Sequence, residues 1–283
     1  MKQNTMSKVW FITGAGSGLG TGIAKAALRA GDRVVATGRN LEKVRNVYPG
    51  VAPENIAFVQ LDVANEAQAK AAVDEAVKRF GRIDVLVNNA GYSLLGNFEQ
   101  MTTAEIQQQF APNFYGVVHG MQAALPVMRR QRSGHIINIS SVAGVVGLKH
   151  CAAYAATKFA VEGLSLSVAT EVEKFGIKIT VVEPGFFRTD LLDAHNVRWV
   201  SKVIEDYAPE GTAEEMWSQY DGTQPGDPVK LGDALVKIAA MHNPPKVFIA
   251  GGDALDVITP VIEERLREAR AHETLSKSAA GSF

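Results

Sequence analysis

Short apolar runs recur along the chain at intervals long enough for a helix. Residues 8–13, 33–37, 56–61, 83–87, 135–139, 177–182 and 246–250 are each almost continuous in apolar and β-branched side chains. A strand covered on one face alternates apolar and polar positions, whereas a strand covered on both faces reads as such a run. The intervals carry helical spacing. Residues 19–30 are Ala-rich. From Glu66 to Phe80, Ala69, Val73, Ala76, Val77 and Phe80 fall on one face, and Gly81 follows as a stop. Residues 103–130 hold one or two helices, with Pro112 and Pro126 as boundaries or kinks, and residues 154–175 run to Gly176. About seven strands alternating with helices predict an α/β fold with a doubly wound parallel sheet. No repeat or linker interrupts the pattern, so residues 1–283 read as a single domain.

Two regions depart from the alternation. Residues 185–227 are irregular and rich in aromatics: Phe186, Phe187, Trp199, Tyr207, Trp217 and Tyr220. A connection this long reads as a substrate lid, placed at about residues 186–226. From about residue 275 the chain is small and polar and is expected to fray.

Composition narrows the class. The 283 residues are 46% hydrophobic and 21% charged, and 29 Lys+Arg against 30 Asp+Glu leave a net charge of -1. That balance speaks against nucleic acid or an anionic membrane as partner. Cys151 is the only cysteine, so no intrachain disulfide is possible, and the six histidines show no metal-ligand spacing. The first eight residues carry no apolar core of a secretory signal, and no apolar stretch reaches the length of a membrane span. The expectation is a metal-free protein of a reducing, cytoplasmic compartment.

The candidate chemistry begins at the first strand. Thr13-Gly14-Ala15-Gly16-Ser17-Gly18-Leu19-Gly20 follows it and opens a helix. Glycines allow a sharp turn and close approach of a pyrophosphate, and a helix N-terminus offers free N–H groups to it. This placement makes the sheet Rossmann-type and Gly14, Gly16, Ser17, Gly18, Leu19 and Gly20 candidate dinucleotide contacts. An acidic residue after the second strand would favour NAD. Here Thr37-Gly38-Arg39-Asn40 stands instead. Arg39 can pair with a 2′-phosphate, which points to NADP(H); the bland alternative is a solvated arginine. Asp62 and Val63 follow the third strand, and Asn89, Ala90 and Gly91 follow the fourth, at the strand ends where open α/β sheets bind ligands. Asp62 reads equally as a contact to adenine or as a helix N-cap, and Asn89 to Gly91 can also be a plain turn. Ser140 and Ser141 follow the fifth strand, and Tyr154 and Lys158 lie one helical turn apart on one face. A phenol with a reference pKa near ~10 becomes a usable base only beside positive charge, such as an ammonium or an oxidised nicotinamide.

With the Gly-rich turn, Asn88-Asn89-Ala90-Gly91, Asn113, Ser141, Tyr154-x-x-x-Lys158 and Pro184-Gly185 in this order, the chain resembles the short-chain dehydrogenase/reductase family, in its compact single-domain branch, over about residues 8–250. The resemblance implies that Tyr154 is the general acid in reduction and the base in oxidation. It implies that Ser141 binds the substrate oxygen, with Ser140 as its rival. Lys158 would lower the Tyr154 pKa and bind the nicotinamide ribose, and Asn113 would support a water-linked relay to Lys158. Asn113 has the alternative of a helix-bend residue beside Pro112, a proline that departs from the family pattern. Pro184, Gly185 and Thr189 would hold the nicotinamide carboxamide, although Thr189 can instead cap a helix beginning near Asp190. Members of the family are commonly dimers or tetramers, so a homo-oligomer is expected.

Around this centre, Tyr92, Val142, Val146, Leu148 and Phe186 are expected to bound the substrate pocket together with Ser141. They are mostly apolar, which predicts a bulky uncharged ketone or secondary alcohol. Arg188 and Arg198 keep open a 3-oxoacyl thioester as the alternative substrate, and a catalytically silent NADP-binding regulator is the alternative of another class. Cys151 reads as a packed small side chain.

Overall fold

The structure is a computed structural model and describes residues 7–189 and 196–281. The expected strands all form: β1 (Val9–Ile12), β2 (Arg33–Gly38), β3 (Ile56–Gln60), β4 (Val85–Asn88), β6 (Gly134–Ile139), β7 (Ile177–Pro184) and β9 (Val247–Ala250). They make a seven-stranded sheet in the order β3-β2-β1-β4-β6-β7-β9, with every pairing parallel. Successive residues of a strand face opposite sides, which is why the apolar runs are continuous. In β1, Val9 and Phe11 enter the core on one face, and Trp10 and Ile12 enter the core on the other.

One face is covered by α1 (Gly18–Arg29), α2 (Leu41–Asn46) and α8 (Pro228–Ala240), and the opposite face by α3 (Glu66–Phe80), α5 (Gly116–Gln131) and α6 (Ala152–Val172). Helix α3 spans the residues its periodicity requires, and Gly81 ends it at φ 79°, a left-handed conformation. Asn65 caps its N-terminus by accepting from the Gln68 N–H. The alternative reading of Asp62 as that cap is therefore corrected. Asp62 instead closes a local turn by accepting from the Ala64 N–H at 3.0 Å.

The 103–130 region divides at Pro112. Helix α4 (Thr103–Phe110) and α5 are joined by a π-turn over Ala111–Tyr115. Proline has no N–H to offer the regular ladder, so the turn widens by one residue there. Pro126 lies inside α5 without ending it.

Two features lay outside the sequence reading. A second, two-stranded parallel sheet pairs β5 (Ser93–Leu95) with β8 (Val197–Trp199), and α7 (Ala213–Ser218) follows it. The C-terminal region is helical further than expected: α9 (Gly252–Ala271) is followed by α10 (Glu273–Ser278), where a Lys277–Glu273 pair at 2.6 Å spans one turn. The helix proposed to begin near Asp190, part of the lid, the first residues and the final two of the tail lie outside the described residues.

Helices α1 and α8 meet through glycines. A Cβ on Gly232 would stand 2.6 Å from the Gly22 carbonyl oxygen, and one on Gly22 would strike the Pro228 carbonyl. Gly22→Ala is expected to destabilise the fold by about 1–3 kcal/mol through overpacking. A lowered urea midpoint with unchanged slope would show it.

Candidate active site

The strand order reverses between β1 and β4, and the loops leaving those two strands separate there. A cavity of about 580 Å³ opens at this point. The Gly-rich turn forms its near wall. Gly14 (φ 67°) and Gly18 (φ 52°) adopt left-handed conformations that other residues resist. The Ser17 side chain does not cap α1, so that helix start keeps unbonded N–H groups facing the cavity. Side chains hold the turn in shape. The Thr13 hydroxyl accepts from Asn89 N at 2.8 Å and Ala90 N at 3.1 Å, and Asn89 Nδ2 donates to Thr13 O at 2.9 Å. Tyr48 donates to Ala15 O at 2.6 Å, and Thr21 to the same oxygen at 2.9 Å. Asn89 is thus a strut between the two loops as well as part of a turn.

The cavity brings together Gly14, Ser17, Gly18, Leu19, Arg39, Asp62, Val63, Asn89, Ala90, Gly91, Asn113, Ser141, Tyr154, Lys158, Pro184, Gly185 and Thr189, all named from the sequence. Two of the expected contacts do not line it. Gly16 backs onto Val44, where a Cβ would meet Cγ2 at 3.1 Å, and a Cβ on Gly20 would press on Asn89 Nδ2 at 2.6 Å. Both are glycines because protein packs on them. Arg39 is exposed at the end of β2, and its guanidinium has no hydrogen bond or ion pair among the described residues. The turn, the free helix start and this unpaired cation fit a phosphorylated dinucleotide.

Deeper in the cavity, Ser141 caps the short helix Val142–Gly144 and accepts from Ala143 N at 3.1 Å. Its hydroxyl lies near enough to Tyr154 to favour the phenolate. Burial pushes the Tyr154 phenol up to about 12, and the Ser141 hydroxyl opposes the rise. The protein alone therefore keeps Tyr154 protonated at neutral pH. Lys158 lies with its Nζ 5.5 Å from the Tyr154 ring centroid and donates to Ile139 O at 2.8 Å. Burial lowers its ammonium to about 8. Asn113 is buried in the π-turn, and its carboxamide is committed to the Tyr92 backbone: Oδ1 accepts from Tyr92 N at 3.1 Å and Nδ2 donates to Tyr92 O at 2.9 Å. Its side chain fits the bend-residue alternative.

The far half of the cavity is lined by Tyr92, Val142, Leu148 and Phe186 as expected. Val146 is corrected: it packs beside Ala254 and Ile258 under α9, outside the lining. Leu95, Gln108 and Cys151 also line this half and were not assigned to it from the sequence, while Trp217 and Gln224 belong to the segment expected to cover the substrate. Trp217 belongs to the aromatic segment, which was the available signal. Phe186 stacks on Tyr220 at 5.6 Å and lies 6.1 Å from Trp217. Arg198 reaches the cavity because β8 pairs with β5, which places it over the Tyr92 ring at 4.9 Å. Asp253, at the start of α9, accepts from Phe186 N at 2.6 Å and so anchors the turn after Pro184.

The sequence profile of the short chain dehydrogenase family matches residues 8–198. The chain belongs to that family. As a short chain dehydrogenase it is 40% identical over 252 residues to oxidoreductase BOA17 of Botryotinia fuckeliana, covering 89% of this chain and 91% of that one. A solved short-chain dehydrogenase from Streptomyces avermitilis superposes with a TM-score of 0.89 at 35% identity, covering 98% of this chain and 100% of its own. ElxO with NADP bound superposes with a TM-score of 0.74 at 31% identity, covering 89% and 100%. This short chain dehydrogenase is an oxidoreductase with a Rossmann-like single domain. Among its described residues no group of side chains forms a metal site, and no helix is long and apolar enough to cross a membrane.

Cys151 lines the cavity but is 3% exposed, and burial pushes its thiol up to about 12 from 9.0. At pH 8 the thiolate fraction is then lower by about 10³ than for a free thiol. Iodoacetamide at pH 8 is expected to leave the folded protein unlabelled and to alkylate Cys151 after denaturation, as read by intact mass.

Proposed function

We propose that this protein is an NADP(H)-dependent carbonyl reductase interconverting a bulky apolar ketone and its secondary alcohol. The observation that carries the reading is that Ser141, Tyr154 and Lys158 line one cavity, with Lys158 Nζ 5.5 Å from the Tyr154 ring centroid. The Gly14–Leu19 turn and the N-terminus of α1 hold the pyrophosphate, and Arg39 pairs with the 2′-phosphate. Asp62 and Val63 flank the adenine, and Pro184, Gly185 and Thr189 border the nicotinamide. ElxO, a relative with NADP bound, supports the choice of cofactor.

The bound nicotinamide supplies the hydride. The Ser141 hydroxyl donates to the ketone oxygen and stabilises the negative charge that grows there. Tyr154 gives the same oxygen its phenolic proton, completing the alcohol. A phenol held protonated by burial suits that direction. The Lys158 ammonium stabilises the phenolate left behind and binds the nicotinamide ribose. Asn113, through the Tyr92 backbone, holds the loop after β4 that lines the cavity.

Substrate class follows from the far half. Leu95, Leu148, Phe186 and Trp217 present apolar surface, and the stacking of Phe186 on Tyr220 supports the reading of a lid over the substrate. The protein acts as a homo-oligomer, in a cytoplasmic compartment.

Purified protein mixed with NADPH and a ketone panel is expected to oxidise NADPH fastest with bulky aryl or polycyclic ketones. Preference for 3-oxoacyl thioesters would replace the substrate class, and tight NADPH binding with no turnover would favour a silent regulator. Tyr154→Phe should lower kcat by about 10²–10⁴-fold, while NADPH affinity stays within error. Arg39→Ala should weaken NADPH by about 10–100-fold, the loss of one or two charge-assisted bonds, and leave NADH almost unchanged in a fluorescence titration. Equal weakening of both would reject the 2′-phosphate pairing.

A further inference from the structure

Beyond Lys158 lies a group of polar side chains that no step above uses. Glu162 follows Lys158 by one turn of α6, so both side chains leave the same face of that helix. Ser140 stands at the end of β6 and Glu183 near the end of β7, next to Pro184. The pairing of these strands sets the two together, with Ser140 N donating to Val182 O at 2.8 Å. Gly144 closes the group from the short helix after Ser141. A Cβ there would collide with Ser140 Oγ and would stand 3.3 Å from Glu162 Oε1, so both oxygens crowd one glycine.

Three oxygens of the group are sealed from solvent without a partner in hydrogen-bond geometry: Ser140 Oγ, Glu162 Oε1 and Glu183 Oε2. Buried polar atoms left in this state are rare, and a buried carboxylate without compensation is costly. Two carboxyl groups facing one another in such a place do not both ionise near neutrality. The charged groups facing Glu162 are Lys158 from its own helix and Glu183 from β7. The turn after β6 adds only the Ser140 hydroxyl, and the short helix adds no charge.

We propose that Glu162 is a positioning residue for Lys158: with Ser140 and Glu183 it forms a buried carboxyl cluster whose proton sets the charge on Lys158, and through it the pH range in which Tyr154 works. The inference rests on the roles given to Tyr154 and Lys158 in the proposed reaction. Burial raises Glu162 to about 7, the Glu183 charge adds to the rise, and Ser140 and Lys158 oppose it. Glu183 is raised by burial as well. Below about pH 7 Glu162 is therefore neutral; above it, Glu162 is an anion that helps Lys158 keep its proton.

The test is the pH profile of kcat/KM for ketone reduction, pH 5.5–9.5, in wild type and three variants. Glu162→Gln should abolish the inflection near neutrality and move the alkaline limb down by about one pH unit, because Lys158 loses its anion. Glu183→Gln should move the neutral inflection to lower pH, because a like charge is removed. Ser140→Ala should move it to higher pH, because the hydroxyl favours the Glu162 anion. Activity that falls evenly at every pH, with both limbs fixed, would mean a packing role and overturn the proposal. A second readout needs no turnover: the infrared band of a protonated carboxyl in the protein alone. It should disappear through about pH 7 in wild type and be missing in Glu162→Gln. No titration of that band near neutrality would also overturn the proposal. A titrating band in a protein that reduces no ketone would uphold the buried proton and overturn the reductase reading instead.

Discussion

Hydrogen bonds between Thr13 and Asn89 tie together the loops that leave β1 and β4, and the site is arranged around that tie. At a topological switch point the two loops part in opposite directions, and nothing in the parallel ladder itself holds them in register beyond the strand ends. Thr13 accepts from two backbone N–H groups of the β4 loop, and the Asn89 carboxamide returns a bond to the β1 loop. The Gly-rich turn is thereby held open on one side by β4 and braced on the other by Tyr48 and Thr21. Gly20 completes the arrangement, since any side chain there would displace Asn89.

Electrostatics in the inner site follow from desolvation more than from charge pairs. Tyr154, Lys158, Glu162 and Glu183 are each pushed toward their neutral forms, and for each the largest cause is burial. A phenol that keeps its proton and an ammonium that holds its own weakly make a pair sensitive to any charge placed near them.

The substrate half is built differently. It depends on a small sheet of two three-residue strands, on α7 and on stacked aromatic rings, with few of the backbone bonds that tie the main sheet. Elements of this kind open at lower free energy than a central parallel sheet.

Features set by neighbouring residues were legible in the chain. Strands buried on both faces leave continuous apolar runs, a helix brings Tyr154 and Lys158 onto one face, and glycine permits the turn after β1; each depends on a few consecutive positions. Features set by distant residues were not. Val142 and Val146 both pack toward Ala254 and Ile258 of α9, yet only Val142 also lines the cavity. Gly16 and Gly20 belong to the phosphate turn in sequence but serve Val44 and Asn89 in space. Arg198 meets Tyr92 only because β8 pairs with β5, and Ser140, Glu162 and Glu183 meet only because β6, β7 and α6 pack together. Local periodicity determines which elements form and which residues share a face. Cross-strand register and helix packing, which join residues far apart in the chain, decide which of those faces meet.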